Sequence, residues 1–313
     1  MRPAITPMTP SRAAVAASVL LVLALAGCSP QDDDGANAPS AETTSGAPSA
    51  SSGSGGTATA TTAVACAAGS LPTRTPGKLT VGTDNPAYDP WFSGDNPSNG
   101  KGYESAVAYA VAKRLGYPAG QVAWQKVPFN SAFAPGAKDF DFDINQVSIS
   151  ADRKKAVDFS PGYYDVRQAV VAPKGSKIFG ARSLADLRNA KLGAQVGTTS
   201  LDLVDDVVKP ARQPAVFQRN ELAVAALKNG QVDGIVVDLP TAFYITSEVA
   251  GAKVVGQFTD TGSAPEQFGL VLDKGSPLTA CVSQAVTSLR ADGTLAALEK
   301  RWLSDAVDAP VLK

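Results

Sequence analysis

Between residues 29 and 65 the chain carries 30 Ser, Thr, Gly, Ala or Pro in 37 positions, no aromatic residue, and Val64 as its sole large aliphatic side chain. Such a stretch buries too little apolar surface to offset the entropy lost on ordering, so it is expected to be disordered. Whatever folds must therefore come from about Cys66 onward. As a flexible coil the stretch spans roughly 35 Å root-mean-square, which is the reach of a tether.

The residues ahead of the tether say what it holds. Arg2 and Arg12 are the only charges before Cys28, and residues 13–27 read AAVAASVLLVLALAG. That run is short for a spanning helix but suits the apolar region of an export signal. It ends in Leu25-Ala26-Gly27-Cys28, which is similar to a bacterial lipobox, where the cysteine is acylated and becomes the mature N-terminus. An ordinary signal peptide ending near a cysteine is the alternative. Cleavage at 27 removes two of the 28 basic residues and none of the 29 acidic ones, leaving a net charge of −3. The expected location is the extracytoplasmic face of a bacterial membrane, with the lipid as the only membrane contact. If Cys28 carries lipid, Cys66 and Cys281 remain, an even number in a compartment that permits disulfides. They are expected to pair, two buried thiols being the alternative.

Composition removes most catalysts. The chain has no histidine and three cysteines. A Ser-His-Asp or Cys-His arrangement, a His-Glu-x-x-His helix, a mixed Cys/His zinc site and a four-cysteine zinc site are all excluded. No metal or cofactor is expected. Near-neutral charge without a dense basic run argues against nucleic acid.

From Pro76 onward strand-like and helix-like segments alternate, which favours an α/β architecture with largely parallel sheets. Strands are expected at 78–82, 122–127, 142–144, 192–196, 215–218, 235–238 and 267–272. Helices are expected at 103–115, ending at Gly116, and at 278–291 and 294–303. Others should follow Ser150, the loop 197–200, and Asn220 as a cap, this last helix closing at Gly230.

Five segments carry a resemblance: KLTVGTD (78–84), FDFDINQVSISADRKKAVDFSPGYYD (140–165), KLGAQVGTTS (191–200), AALKNGQVDGIVVD (225–238) and ADGTLAALEKRW (291–302). Together and in this order they resemble the family-3 bacterial extracellular solute-binding proteins, the amino-acid receptors of ABC importers, over about 76–304. The resemblance implies the type II periplasmic-binding-protein fold, with two Rossmann-like lobes joined by two crossing segments. On that pattern residues 1–27 are leader and 28–65 anchor and linker. Residues 66–166 plus 266–313 form lobe 1, and 167–265 form lobe 2.

An α-amino acid presents a carboxylate and an ammonium on one carbon, and burying both requires pairing each. By resemblance, Arg153 of SISADR forks the α-carboxylate bidentately, as guanidinium chemistry allows. Ser148 donates to the same group, and Thr198 and Thr199 clamp it from the other lobe at a strand-to-helix turn. Asp238, at the carboxyl end of a strand, matches the ammonium-binding acid. Gln146 stands where a backbone carbonyl faces the ammonium, with a bulkier side chain than usual. Tyr88, Trp91 and Phe129 match the aromatic wall for the ligand side chain, and Asp84 matches a residue that reaches a distal polar or basic group. Read as isolated residues, Arg153 is equally a surface partner of Asp152 or Asp158, Asp238 is a turn or cap residue, Thr198 and Thr199 form a plain N-cap, Asp84 caps its turn, and Tyr88, Trp91 and Phe129 are core aromatics. Residues 102–107 depart from the family's GFDVDL and are expected only to pack the first helix.

The function implied is a lipid-anchored, monomeric receptor that binds a polar or basic amino acid and hands it to a membrane permease driven by a cytoplasmic ATPase. An enzyme on the same fold, such as a dehydratase of a cyclic carboxylate, and a ligand-sensing lipoprotein are the rivals.

Overall fold

The computed structural model describes Cys66 and residues 70–259, 265–304 and 309–313. The expected leader, Cys28 and the expected tether lie outside the described residues. Ten strands and nine α-helices are described. Strands β1–β5 are Leu79–Thr83, Val122–Lys126, Phe142–Asp143, Val157–Val166 and Gln168–Ala172. Strands β6–β10 are Leu192–Gln195, Ala215–Phe217, Gly234–Asp238, Lys253–Gln257 and Glu266–Asp273. Helices α1–α5 are Tyr103–Arg114, Phe129–Ala132, Arg153–Ala156, Leu184–Leu187 and Thr199–Leu203. Helices α6–α9 are Asn220–Lys228, Leu239–Glu248, Thr279–Ala291 and Thr294–Leu303.

The strands form two five-stranded sheets with matching orders, β2-β1-β3-β10-β4 and β7-β6-β8-β5-β9. In each, three strands run parallel, as β-α-β crossovers require. The sheets are nonetheless mixed, because β10 runs antiparallel to β3 and β4, and β5 antiparallel to β8 and β9. Only Arg167 separates β4 from β5, so the chain leaves one sheet and enters the other within a residue. The return from β9 to β10 includes residues 260–264, outside the described residues.

Each sheet is covered on both faces. Leu79, Val81, Phe142, Leu270 and Leu272 pack with residues of α1, α8 and α9 on one side of the first sheet. Val127, Phe129, Val147 and Val271 fill the other side. The second sheet is buried between α6 and α7 on one face and Ile178, Leu187 and Val204 on the other.

Beyond the mixed sheets, two further features differ from the sequence expectation. Residues 309–313 do not stay with the first sheet. Gln257 N–H donates to the Pro310 carbonyl at 2.8 Å, and Leu312 N–H donates to the Gln257 carbonyl at 2.9 Å, so the tail lies along the edge strand β9. Gly256 permits this, since a Cβ there would sit 2.7 Å from Leu312 Cγ and from the Pro310 carbonyl. Asn220 does not cap α6: its cap residue is Arg219, with no side-chain hydrogen bond, and the Asn220 amide is used elsewhere. The cysteines do pair. Cys66 and Cys281 form a disulfide across a sequence separation of 215, stapling the start of the folded part to α8.

Candidate functional site

Strand ends of both sheets converge on one cavity. Asp84, Tyr88, Phe129, Gln146, Ser148 and Arg153 line it from the first-sheet body. Thr198, Thr199 and Asp238 line it from the second, where they follow the carboxyl ends of β6 and β8. Of the residues singled out from sequence, Trp91 is the one that does not line it. Its ring is fully buried, edge-on to Tyr103, Tyr164 and Phe268 at 5.4–6.1 Å between centroids. The physical reason lies in the turn into α1. Gly102, at φ 91°, leaves no room for a Cβ, which would sit 2.4 Å from the Trp91 carbonyl, and that carbonyl accepts from Glu104 N–H at 3.0 Å. Residue 91 is thereby pinned under the helix start.

Arg153 is mostly withdrawn from water. Its Nη1 donates to the Ser148 carbonyl at 2.6 Å and its Nη2 to the Gly197 carbonyl, in the opposite body, at 2.8 Å. The guanidinium lies 4.3 Å from the centroid of Phe133 and 5.8 Å from that of Phe129, a cation–π arrangement. Burial pushes its pKa down, while Asp202 and Glu266 oppose the shift. Neither Asp152 nor Asp158 is its partner, because Asp152 pairs with Lys155 at 2.6 Å and Asp158 with Lys274 at 2.9 Å. A guanidinium with two of its five N–H groups on carbonyls keeps donors for an acceptor in the cavity.

Asp238 ends β8 and starts α7. Its Oδ1 accepts from Thr241 N–H at 3.0 Å and its Oδ2 from the Thr241 hydroxyl at 2.9 Å. It therefore caps the helix and lines the cavity at once. Burial pushes its carboxyl up to about 6, against the Thr241 hydrogen bonds that favour the anion.

Ser148 and Thr199 face each other across the bodies with their oxygens 3.2 Å apart. Both hydroxyls donate to one oxygen of Glu266, Thr199 at 2.6 Å. Gln168, at the first crossing, donates to both Glu266 oxygens at 3.3 Å. Glu266 begins β10, so a carboxylate at the hinge takes hydroxyl protons that the sequence reading assigned to a ligand. Thr198 caps α5, accepting from Leu201 N–H at 3.2 Å and donating to the Gln195 carbonyl at 2.7 Å.

Gln146 sits in the left-handed region at φ 49°. Its backbone N–H donates to Glu104 Oε1 at 2.8 Å and its side-chain amide to Oε2. The Tyr163 hydroxyl also donates to Oε1. Burial outweighs these donors and pushes Glu104 up to about 7. Residues 102–107 therefore do more than pack the first helix, since Glu104 holds a cavity residue in place. Asp84 accepts from Phe129 N–H at 3.2 Å, tying the turn after β1 to α2. The Tyr88 hydroxyl accepts from Asn220 Nδ2 at 2.9 Å, and its ring stacks on Tyr244 at 6.0 Å.

Sequence reasoning missed Glu104, Gly197, Asn220, Thr241 and Glu266. An acid in the first turn of a helix otherwise made of small and apolar residues marks Glu104 in retrospect. Asp238-Leu-Pro-Thr is a helix start in which the fourth residue meets the cap, which marks Thr241. Nothing local marks Glu266.

Residues 79–305 match the model of the bacterial extracellular solute-binding proteins, family 3. A probable histidine-binding protein of Neisseria gonorrhoeae is 29% identical over 233 residues, 72% of this chain and 82% of the relative. An ancestral arginine-binding protein solved with arginine is 33% identical at a TM-score of 0.60, covering 72% of this chain and 98% of the other. An ancestral amino-acid-binding protein described as a precursor of cyclohexadienyl dehydratase is 29% identical at a TM-score of 0.57, covering 72% and 95%. Two mixed sheets with helices on both faces make the architecture that of a type II periplasmic binding protein. With the family's pattern running through nearly all of its two-sheet part, the chain belongs to the bacterial extracellular solute-binding proteins, family 3.

Proposed function

We propose that this protein is an extracytoplasmic receptor, anchored by lipid on Cys28, that binds an amino acid between its two bodies and delivers it to an ABC import permease. The observation that carries the reading is a pair of opposite charges, Arg153 and Asp238, both largely buried and facing one cavity from different bodies. A zwitterion supplies the counter-charge to each, and a ligand touching both shifts the balance toward the state in which the bodies are together. In this reading Arg153, Ser148, Thr198 and Thr199 meet the α-carboxylate. Asp238 and the backbone at Gln146 meet the ammonium, and Asp84, Tyr88 and Phe129 meet the side chain. Glu266 must release Ser148 and Thr199 as the ligand carboxylate arrives. Relatives named for histidine and arginine support a polar or basic ligand.

Calorimetry of the mature protein against the twenty amino acids tests this. Binding by at least one is expected, and a folded protein that binds none overturns it. Arg153→Ala should weaken that binding at least a hundredfold, the weight of a charge-assisted bidentate contact of about 3 kcal/mol. Unchanged affinity removes Arg153 as the carboxylate fork.

A further inference from the structure

The ring of Trp91 belongs to the core of the first body, but its polar atom leaves that core. Nε1–H donates to Thr241 Oγ1, on α7 of the second body, at 2.8 Å. Indole nitrogen only donates, so the Thr241 hydroxyl is the acceptor and its single proton must go to another group. It goes to Asp238 Oδ2 at 2.9 Å. Trp91, Thr241 and Asp238 are 0%, 1% and 8% exposed, so water has little access to replace any of these contacts. A phenylalanine would satisfy the three edge-on ring contacts and leave Thr241 undirected.

We propose that Trp91 is a positioning residue for Asp238, reaching across from the first body to fix the Thr241 hydroxyl so that its proton is held on the carboxylate in the closed state alone. This rests on the reading of Asp238 as the ammonium acceptor and supplies a reason for that acceptor to be complete only on closure. When the bodies part, the indole donor withdraws with the first body. The hydroxyl is then free to rotate, and Asp238 keeps only backbone donors, the N–H groups of Thr241 and of Asp238 itself. Ligand binding and Trp91 docking therefore favour the same state, each strengthening the other. The other groups facing Asp238 are Glu266 from β10, and Glu104, Tyr88 and Tyr164 from the first body. Both tyrosines are held neutral by burial, so the charges that oppose an anion at Asp238 are those of Glu104 and Glu266.

The test measures affinity for the tightest-binding amino acid from pH 4.5 to 8 in the mature wild type, Trp91→Phe, Thr241→Val, Thr241→Ser and the Trp91→Phe/Thr241→Val double variant. Trp91→Phe should weaken binding about fivefold at pH 7.5, the weight of one ordinary hydrogen bond. It should also raise the acid limb of the profile by about half a pH unit, because a carboxylate short of a donor holds its proton longer. Thr241→Ser should keep the wild-type limb. The double variant should be no worse than Thr241→Val alone, the mark of two groups acting in series. An unmoved limb in Trp91→Phe, or additive losses in the double variant, reduces Trp91 to packing and overturns the proposal. If the wild type binds no amino acid, the proposed function falls, and the relay is still read by carboxyl-carbon NMR titration of Asp238 in protein whose two bodies are cross-linked in the closed state. A midpoint raised in Trp91→Phe supports it, and an unmoved midpoint overturns it.

Discussion

At Glu104 a carboxylate is stripped of water, and three donors from Gln146 and Tyr163 return only part of what hydration gave it. The folded protein therefore keeps a proton there that the unfolded chain has already released. Its carboxyl moves from 4.5 to about 7, so between those values the folded state binds more protons and stability falls as pH rises, by about 3 kcal/mol in all. Asp238, raised from 3.8 to about 6, adds a slope of the same sign over a lower window. In Glu104→Gln the upper part of this slope, from pH 6 to 7.5, should disappear while the lower part remains. Urea denaturation at stepped pH reads both, and equal slopes in the two proteins would remove Glu104 as their source. Gly197 shows the opposite economy. A side chain there would meet Asn130 Oδ1 at 2.4 Å, so the absence of one lets the bodies approach and lets Arg153 reach the Gly197 carbonyl. That Arg153 and Asp238 line one cavity was legible in the sequence, because each sits in a short string at the end of an element with a turn beside it. Trp91 was not, because its exclusion from the cavity depends on Gly102, a helix start and three rings from distant elements.

Among the elements, those with clean punctuation were legible. Helix α1 ends at Gly116 with φ 82°, and α9 occupies the expected 294–303. Strand β4 was not among the expected strands, and Pro161 and Gly162 in its middle are residues that ordinarily break a strand. The strand survives them because it lies at the edge of its sheet, where a missing N–H costs little, and its pairing with β10 shifts register there. The crossing itself is where sequence reading runs out: Glu266 acts through Ser148 and Thr199, residues 118 and 67 positions away in the chain. With Arg153 as the proposed carboxylate fork, the charge of Glu266 would compete with that of the ligand carboxylate. Glu266→Gln keeps the size and removes the charge, and should tighten amino-acid binding about fivefold, roughly 1 kcal/mol for a partly screened like-charge contact. Calorimetry reads this, and weaker binding would show that Glu266 supports the ligand site rather than competing for it.

For the whole molecule, the staple from Cys66 to Cys281 closes a loop containing both crossings and the entire second sheet. Constraining an unfolded chain over that length stabilises the fold by about 2–5 kcal/mol. Cys66→Ser/Cys281→Ser should lose that amount in urea denaturation, with amino-acid affinity unchanged, since neither residue lines the cavity. A loss under 1 kcal/mol would mean that the two sulfurs restrain little.

The tail on β9 bears on how this protein can be handled. Strand β9 is the outermost of its sheet, and an outermost strand offers a row of backbone donors and acceptors to any other chain that meets it. Residues 309–313 occupy part of that row, with Leu312 buried against the sheet and the Lys313 carbonyl accepting from Leu184 N–H at 3.2 Å. Trimming residues 309–313 would uncover a strip suited to self-adhesion while leaving every cavity residue untouched. Labels belong away from this strip, for example along the Ser- and Gly-rich stretch before Cys66.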